Sequence, residues 1–182
     1  MNGVYIVSAQ QIFVDVYGLG SRFPVAFGAI SCFLVAASGL NALLVRRIGM
    51  RGVSHRAIFA GLAVCGLMAL AGFPEKPPLL MFGLYMGIVF FCFGVMMPNF
   101  NALSMEPMSH IAGTASSLAG FYSTVAGAAF ATAIGRSFDG TVRPLCIGIA
   151  VLFIATLVTV LITERFKLQH KSAPDVPMPQ GE

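Results

Sequence analysis

Apolar residues in this chain come in long unbroken runs, without the alternation or helical stripe of a soluble domain. A hydrocarbon core about 30 Å thick is crossed by about 20 mostly apolar helical residues. Five windows free of Asp, Glu, Lys and Arg approach or exceed that length, at about 23–45, 57–73, 79–97, 111–135 and 145–163. The stretches between them, Arg46 to Arg56, Pro74 to Pro78, Asn99 to His110 and Arg136 to Pro144, are short and polar or Pro-rich. Connections of that length join antiparallel neighbours in a bundle. The pattern predicts an all-α transmembrane protein with five full transmembrane helices.

The ends of the chain break this pattern. Gly3 to Val16 is shorter than a span and is interrupted by Gln10, Gln11 and Asp15. It reads as a partial N-terminal helix, the end of a truncated transmembrane segment followed by an outer loop over 1–20, or as a short interfacial helix. No basic residue precedes it, so it is not a signal peptide. The membrane bundle then occupies 21–166. Residues 167–182 carry Pro174, Pro177 and Pro179 among polar neighbours and are expected to be a disordered cytoplasmic tail.

Composition strengthens the membrane reading. Of the 182 residues 57% are apolar and 10% charged, against about 45–50% and about 25% in soluble domains. The net charge of +4 is not one basic patch, because the Lys and Arg sit at the edges of the apolar windows. Nucleic-acid binding is therefore excluded. Seven basic residues, Arg46, Arg47, Arg51, Arg56, Arg165, Lys167 and Lys171, fall on one side of the five windows. Four, Arg22, Lys76, Arg136 and Arg143, fall on the other. Basic residues are retained in the cytoplasm, which puts the Arg46 to Arg56 connection and the C-terminus there. The four cysteines, Cys32, Cys65, Cys92 and Cys146, form no CxxC pair and read as packing residues, with no metal site and no disulfide framework.

The windows differ in the surface they offer. From Ala112 to Gly135, 18 of 24 residues are Gly, Ala, Ser or Thr, and Gly113, Gly120 and Gly127 recur every seventh position on one face. Small residues let helix backbones approach where lipid supplies no hydrophobic force. Gly83 and Gly87 form a second such pair. These five glycines are the expected helix-packing positions. The Ala112 to Gly135 helix is expected to be central, and the bulky Leu145 to Thr163 helix to face lipid.

No nucleotide loop, HExxH or GxSxG is present, so neither an enzyme nor a cofactor is expected. No window contains a carboxylate of the kind that marks a proton relay. What remains is uncharged polarity beside aromatic and soft side chains, which suits small amphipathic solutes.

At Pro98-Asn99, Glu106-Pro107, His110 and Ala112-Gly113-Thr114-Ala115-Ser116-Ser117-Leu118-Ala119-Gly120 the chain resembles the major facilitator superfamily, in particular its Bcr/CflA-type drug/proton antiporters. Asn41 to Arg51 resembles that branch's loop between its eighth and ninth helices, with Val45 where the superfamily signature has an acidic residue. Tyr5-Ile6-Val7-Ser8 and Val16-Tyr17-Gly18-Leu19 resemble the outer end of its seventh helix.

The resemblance implies the C-terminal half of a twelve-helix carrier, a fragment paired with a missing N-terminal six-helix half. It implies multidrug efflux by solute/proton antiport and alternating access in the lipid bilayer of a bacterial inner (plasma) membrane. Its cavity residues carry over to Tyr5, Ser8 and Gln11 on the truncated helix, and to Met86 and Phe90. Asn41 and Phe121 carry over to the seam between halves. Two rivals stand beside this expectation: a truncated or split-subunit membrane protein without transport activity alone, and a carrier of a metabolite or sugar.

Overall fold

The computed structural model describes residues 11–72 and 74–171. A π-helix, Gln11–Val16, opens them, and its wide turn sends the Tyr17 amide to the Ile12 carbonyl at 3.1 Å. A 3₁₀ turn, Gly20–Arg22, leads into α1, Phe23–Leu70, with Pro24 in the first turn where its missing N–H costs nothing. Then follow α2, Leu79–Met105, a 3₁₀ segment Glu106–Ile111, α3, Ala112–Arg136, and α4, Arg143–Lys171. Among the described residues there is no strand, and four helices are long and apolar enough to cross a membrane.

The 48 residues of α1 do not form one rod. Gly49 has φ 72° and ψ 160°, a region open essentially to glycine alone. The contacts of α1 with α2 show what this break does. Before it, Phe33 abuts Gly87, Ala37 abuts Gly94 and Asn41 bonds Asn99. Both numbers rise together, so this leg runs parallel to α2. After it, Ser54 and Ile58 share a cavity with Phe100 and Ser104, while Cys65 lies 3.7 Å from the Tyr85 hydroxyl. The order has inverted, so the second leg runs antiparallel to α2. Gly49 is a point of chain reversal.

One end of the bundle therefore gathers Gly49, the last turns of α2 and the Thr159 to Thr163 stretch of α4. The opposite end is stitched by the loop between α1 and α2. The Val142 amide donates to the Glu75 carbonyl at 3.1 Å, and the Tyr17 hydroxyl donates to the Pro77 carbonyl at 2.8 Å. Tyr17 also stacks on Phe82, with ring centroids 5.6 Å apart. Burial holds the Tyr17 phenol above its ordinary pKa, so it remains a donor.

The core lies where both legs of α1 meet α2 and α4, around the fully buried Phe82, Met86, Ile58 and Phe153. Phe153 closes directly on the backbone of Gly61.

Four features depart from the expectations above. The Arg46 to Arg56 and Asn99 to Met105 connections are helical, because nothing in them except Gly49 forbids helix. The α4 backbone stays helical to Lys171, into the stretch expected as tail; 172–182 lie outside the described residues. Helix α3 is not central: only Ala115 and Ala131 are buried, since small side chains give its neighbours little apolar surface to hold. Cys32 is exposed, whereas Cys65, Cys92 and Cys146 are buried as expected of packing residues.

Candidate functional site

Two polar features interrupt the apolar bundle. The first is an amide pair. Pro98 sits inside α2 and removes one backbone donor from the helical ladder. The next residue, Asn99, is 3% exposed. Its Nδ2 donates to the Asn41 Oδ1 and to the Val95 carbonyl, both at 2.9 Å. The Asn41 Nδ2 returns a bond to the Asn99 Oδ1 at 3.3 Å. Each amide gives and receives across the helix contact, so neither is left unpaired in an apolar setting. This pair clamps the first leg of α1 to the broken turn of α2.

The second feature is a cavity of about 540 Å³ at the Gly49 end. Its polar lining is Arg51, Ser54, His55, Ser104, Thr159 and Thr163. Its apolar lining is Ile58, Phe100, Leu103 and Val160. Positions 51, 54, 55 and 58 share one face of the second leg by helical spacing, as 159, 160 and 163 do on α4. The His55 Nδ1 lies 2.8 Å from the Arg51 carbonyl, which makes it the donor there. The Ser54 hydroxyl donates to the Met50 carbonyl at 2.9 Å.

At the other end a turn closes between α3 and α4. Asp139 Oδ1 accepts from the Thr141 amide at 3.1 Å and from its hydroxyl at 2.6 Å. The hydrogen bond from Thr141 holds the Asp139 carboxyl below its ordinary pKa. A second cavity of about 380 Å³ borders this turn at Ala133, Ile134 and Arg143.

Of the expected solute-binding residues, Asn41, Met86, Phe90 and Phe121 line neither cavity. Tyr5 and Ser8 lie outside the described residues, and Gln11 opens the π-helix. Met86 and Phe90 are buried in the core, and Asn41 is committed to Asn99. Phe121 is 63% exposed on α3 and meets Tyr122 edge-on, centroids 5.6 Å apart. Of the expected packing glycines, Gly87 meets the Phe33 ring. Gly83, Gly113, Gly120 and Gly127 have no neighbour within 4 Å of where a Cβ would stand.

The close approaches instead occur at Gly61, at Gly94 against Leu34 and Ala37, and at Gly148 against Ile134. The cavity residues were also missed. Their signal was present as polar side chains at steps of three and four at the ends of apolar windows. Among the described residues no cluster of His, Cys, Asp and Glu is placed to hold a metal ion. No family model matches the chain, and neither a curated protein nor a solved structure does.

Proposed function

We propose that this chain is the second six-helix half of a secondary transporter of the major facilitator type, exporting amphipathic solutes in exchange for protons. The observation that carries this reading is the bareness of α3. A span-length helix rich in Gly, Ala, Ser and Thr leaves all but Ala115 and Ala131 outside the core. Small residues pack well against another helix and poorly define a lipid-facing surface. A second helical unit seated on α3 would supply the missing contact, and alternating access would proceed by rocking of the two units about a site at their seam.

In this reading each leg of α1 is a separate span, so the described helices make five passes, with Gln11–Val16 as the end of a sixth. The Arg46 to Arg56 face is cytoplasmic, as its basic excess favours, and the membrane is a bacterial plasma membrane. The coupling carboxylate belongs to the other half, since the five apolar windows here contain none.

The test is proton exchange in everted vesicles carrying the full transporter. Addition of an amphipathic cation should partly collapse an imposed pH gradient, and no collapse with any such cation would overturn the reading. The absence of an intramembrane carboxylate favours the split-subunit alternative, in which this chain alone moves nothing and activity returns only with a separately expressed first half.

A further inference from the structure

The hydroxyls that line the cavity at the Gly49 end bond back to their own helices. Ser104 donates its hydroxyl proton to the Asn101 carbonyl at 2.9 Å. Thr159 and Thr163 donate theirs to the Ala155 and Thr159 carbonyls, both at 2.8 Å. Ser54 is occupied in the same way. Each of these hydroxyls has spent its one proton on its own helix and offers the cavity only an acceptor oxygen. The strong donor is Arg51, exposed at the mouth. Among the described residues no carboxylate lines the cavity. Among the described residues the Arg51 guanidinium meets no ion-pair partner.

A ligand matching this lining carries an anion for Arg51, hydrogen-bond donors for the Ser and Thr oxygens, and an apolar part for Ile58, Phe100, Leu103 and Val160. The volume of about 540 Å³ lies within the range of about 300–1,000 Å³ of ligand pockets. The cavity's surroundings point to where the ligand comes from. Phe59, Leu161 and Ile162, each adjacent in sequence to a lining residue, are exposed, so apolar surface continues from the cavity onto the lipid-facing flank. Basic pockets between helices at a membrane face hold phospholipid headgroups.

We propose that this cavity binds one molecule of a net-anionic, hydroxyl-bearing phospholipid, of which phosphatidylglycerol is the simplest example. The phosphate pairs with Arg51. The two headgroup hydroxyls donate to Thr159 and Thr163. An acyl chain lies against Leu103 and Val160. The inference requires only that the helices sit in a bilayer and is independent of what, if anything, the protein transports.

The chain contains no tryptophan, so Leu103→Trp places a single fluorophore in the apolar lining. The protein is reconstituted in phosphatidylcholine nanodiscs doped with acyl-brominated phosphatidylglycerol or acyl-brominated phosphatidylcholine. The brominated glycerol lipid should quench at a mole fraction at least threefold lower. Arg51→Gln should bring that ratio to about one, while Arg46→Gln, on the same face but outside the cavity, should keep it. Equal quenching by the two lipids, or a preference that survives Arg51→Gln, overturns the proposal.

Glycerol 1-phosphate is compared with chloride at equal ionic strength. Abolition of the preference by the soluble phosphate alone would assign the site to a free phosphate ester and overturn the lipid. Should Leu103→Trp fail to fold, native mass spectrometry of the unsubstituted chain reads the same outcome. One retained phosphatidylglycerol is expected, absent in Arg51→Gln, and no difference between the two overturns the proposal.

Discussion

At the scale of single residues, the bundle is held by contacts whose geometry leaves little freedom. Phe153 lies directly on Gly61, so a methyl group there must displace a buried ring. Overpacking of this kind costs about 1–3 kcal/mol. Gly61→Ala should lower the unfolding midpoint in mixed micelles accordingly, and Phe153→Leu in the same chain should recover part of the loss. An unchanged midpoint in Gly61→Ala would contradict the packing described.

The Asn41 and Asn99 amides make a second case. Replacing either by Leu strands the partner's donors in an apolar contact. A double-mutant cycle on the two Leu substitutions should show favourable coupling of about 0.6 kcal/mol, the average for hydrogen bonds between membrane helices, and no more than about 1.7 kcal/mol. Asp139 acts in water and titrates. Its folded pKa lies below the unfolded one, so its support of the turn is complete above the ordinary carboxylate value and is lost as pH falls through the lowered one. Protection of the Thr141 amide against hydrogen exchange should fall over that acidic window and be absent throughout in Asp139→Ala.

At the scale of elements, the question is where helices end. The apolar windows were legible because each depends only on composition over about 20 residues. The breaks were not, because a break can depend on one backbone angle. Arg46 to Arg56 is polar but contains no Pro, and its residues are compatible with helix. Gly49 alone turns the chain, a role no window average reveals. Pro98 misled in the opposite direction, since it marks a connection by its type yet sits within α2.

The glycine contacts were half legible. GxxxG spacing located Gly87, while Gly61, Gly94 and Gly148 owe their role to a bulky partner on a distant segment. Gly49→Ala tests the reversal. It forces a side chain into a glycine-only region at a cost of about 1–3 kcal/mol, seen as a lowered unfolding midpoint. In the unsubstituted chain, spin labels at Val35 and Leu67, both exposed, should lie well under the ~48 Å that an unbroken helix would impose. A distance near that value would mean that the legs do not fold back.

At the scale of the whole molecule, the cavity and α3 divide the surface into two kinds. The cavity lies among the second leg of α1, α2 and α4. Helix α3 is sparsely packed, for Gly113, Gly120 and Gly127 face open space among the described residues and its aromatic residues Phe121 and Tyr122 are exposed. Its sequence was read as a packing helix and its position here supplies little to pack against. A helix of this composition takes its value from a partner, because close backbone approach, and not hydrophobic transfer, drives association in lipid.

Gly120 separates the two surfaces experimentally. A Cβ there has open space for 4 Å among the described residues, so Gly120→Leu should leave the unfolding midpoint of the isolated chain within about 0.5 kcal/mol of the parent, the usual range for substitutions away from packed features. In the two-half transporter proposed above, the same leucine would hold the two halves apart. Co-purification of a separately expressed first half with this chain should then fall at least tenfold, and gradient-driven efflux with it. If Gly120→Leu destabilises the isolated chain, α3 is packed within this half. If it leaves both co-purification and efflux intact, α3 faces lipid, and the proposed seam does not run along it.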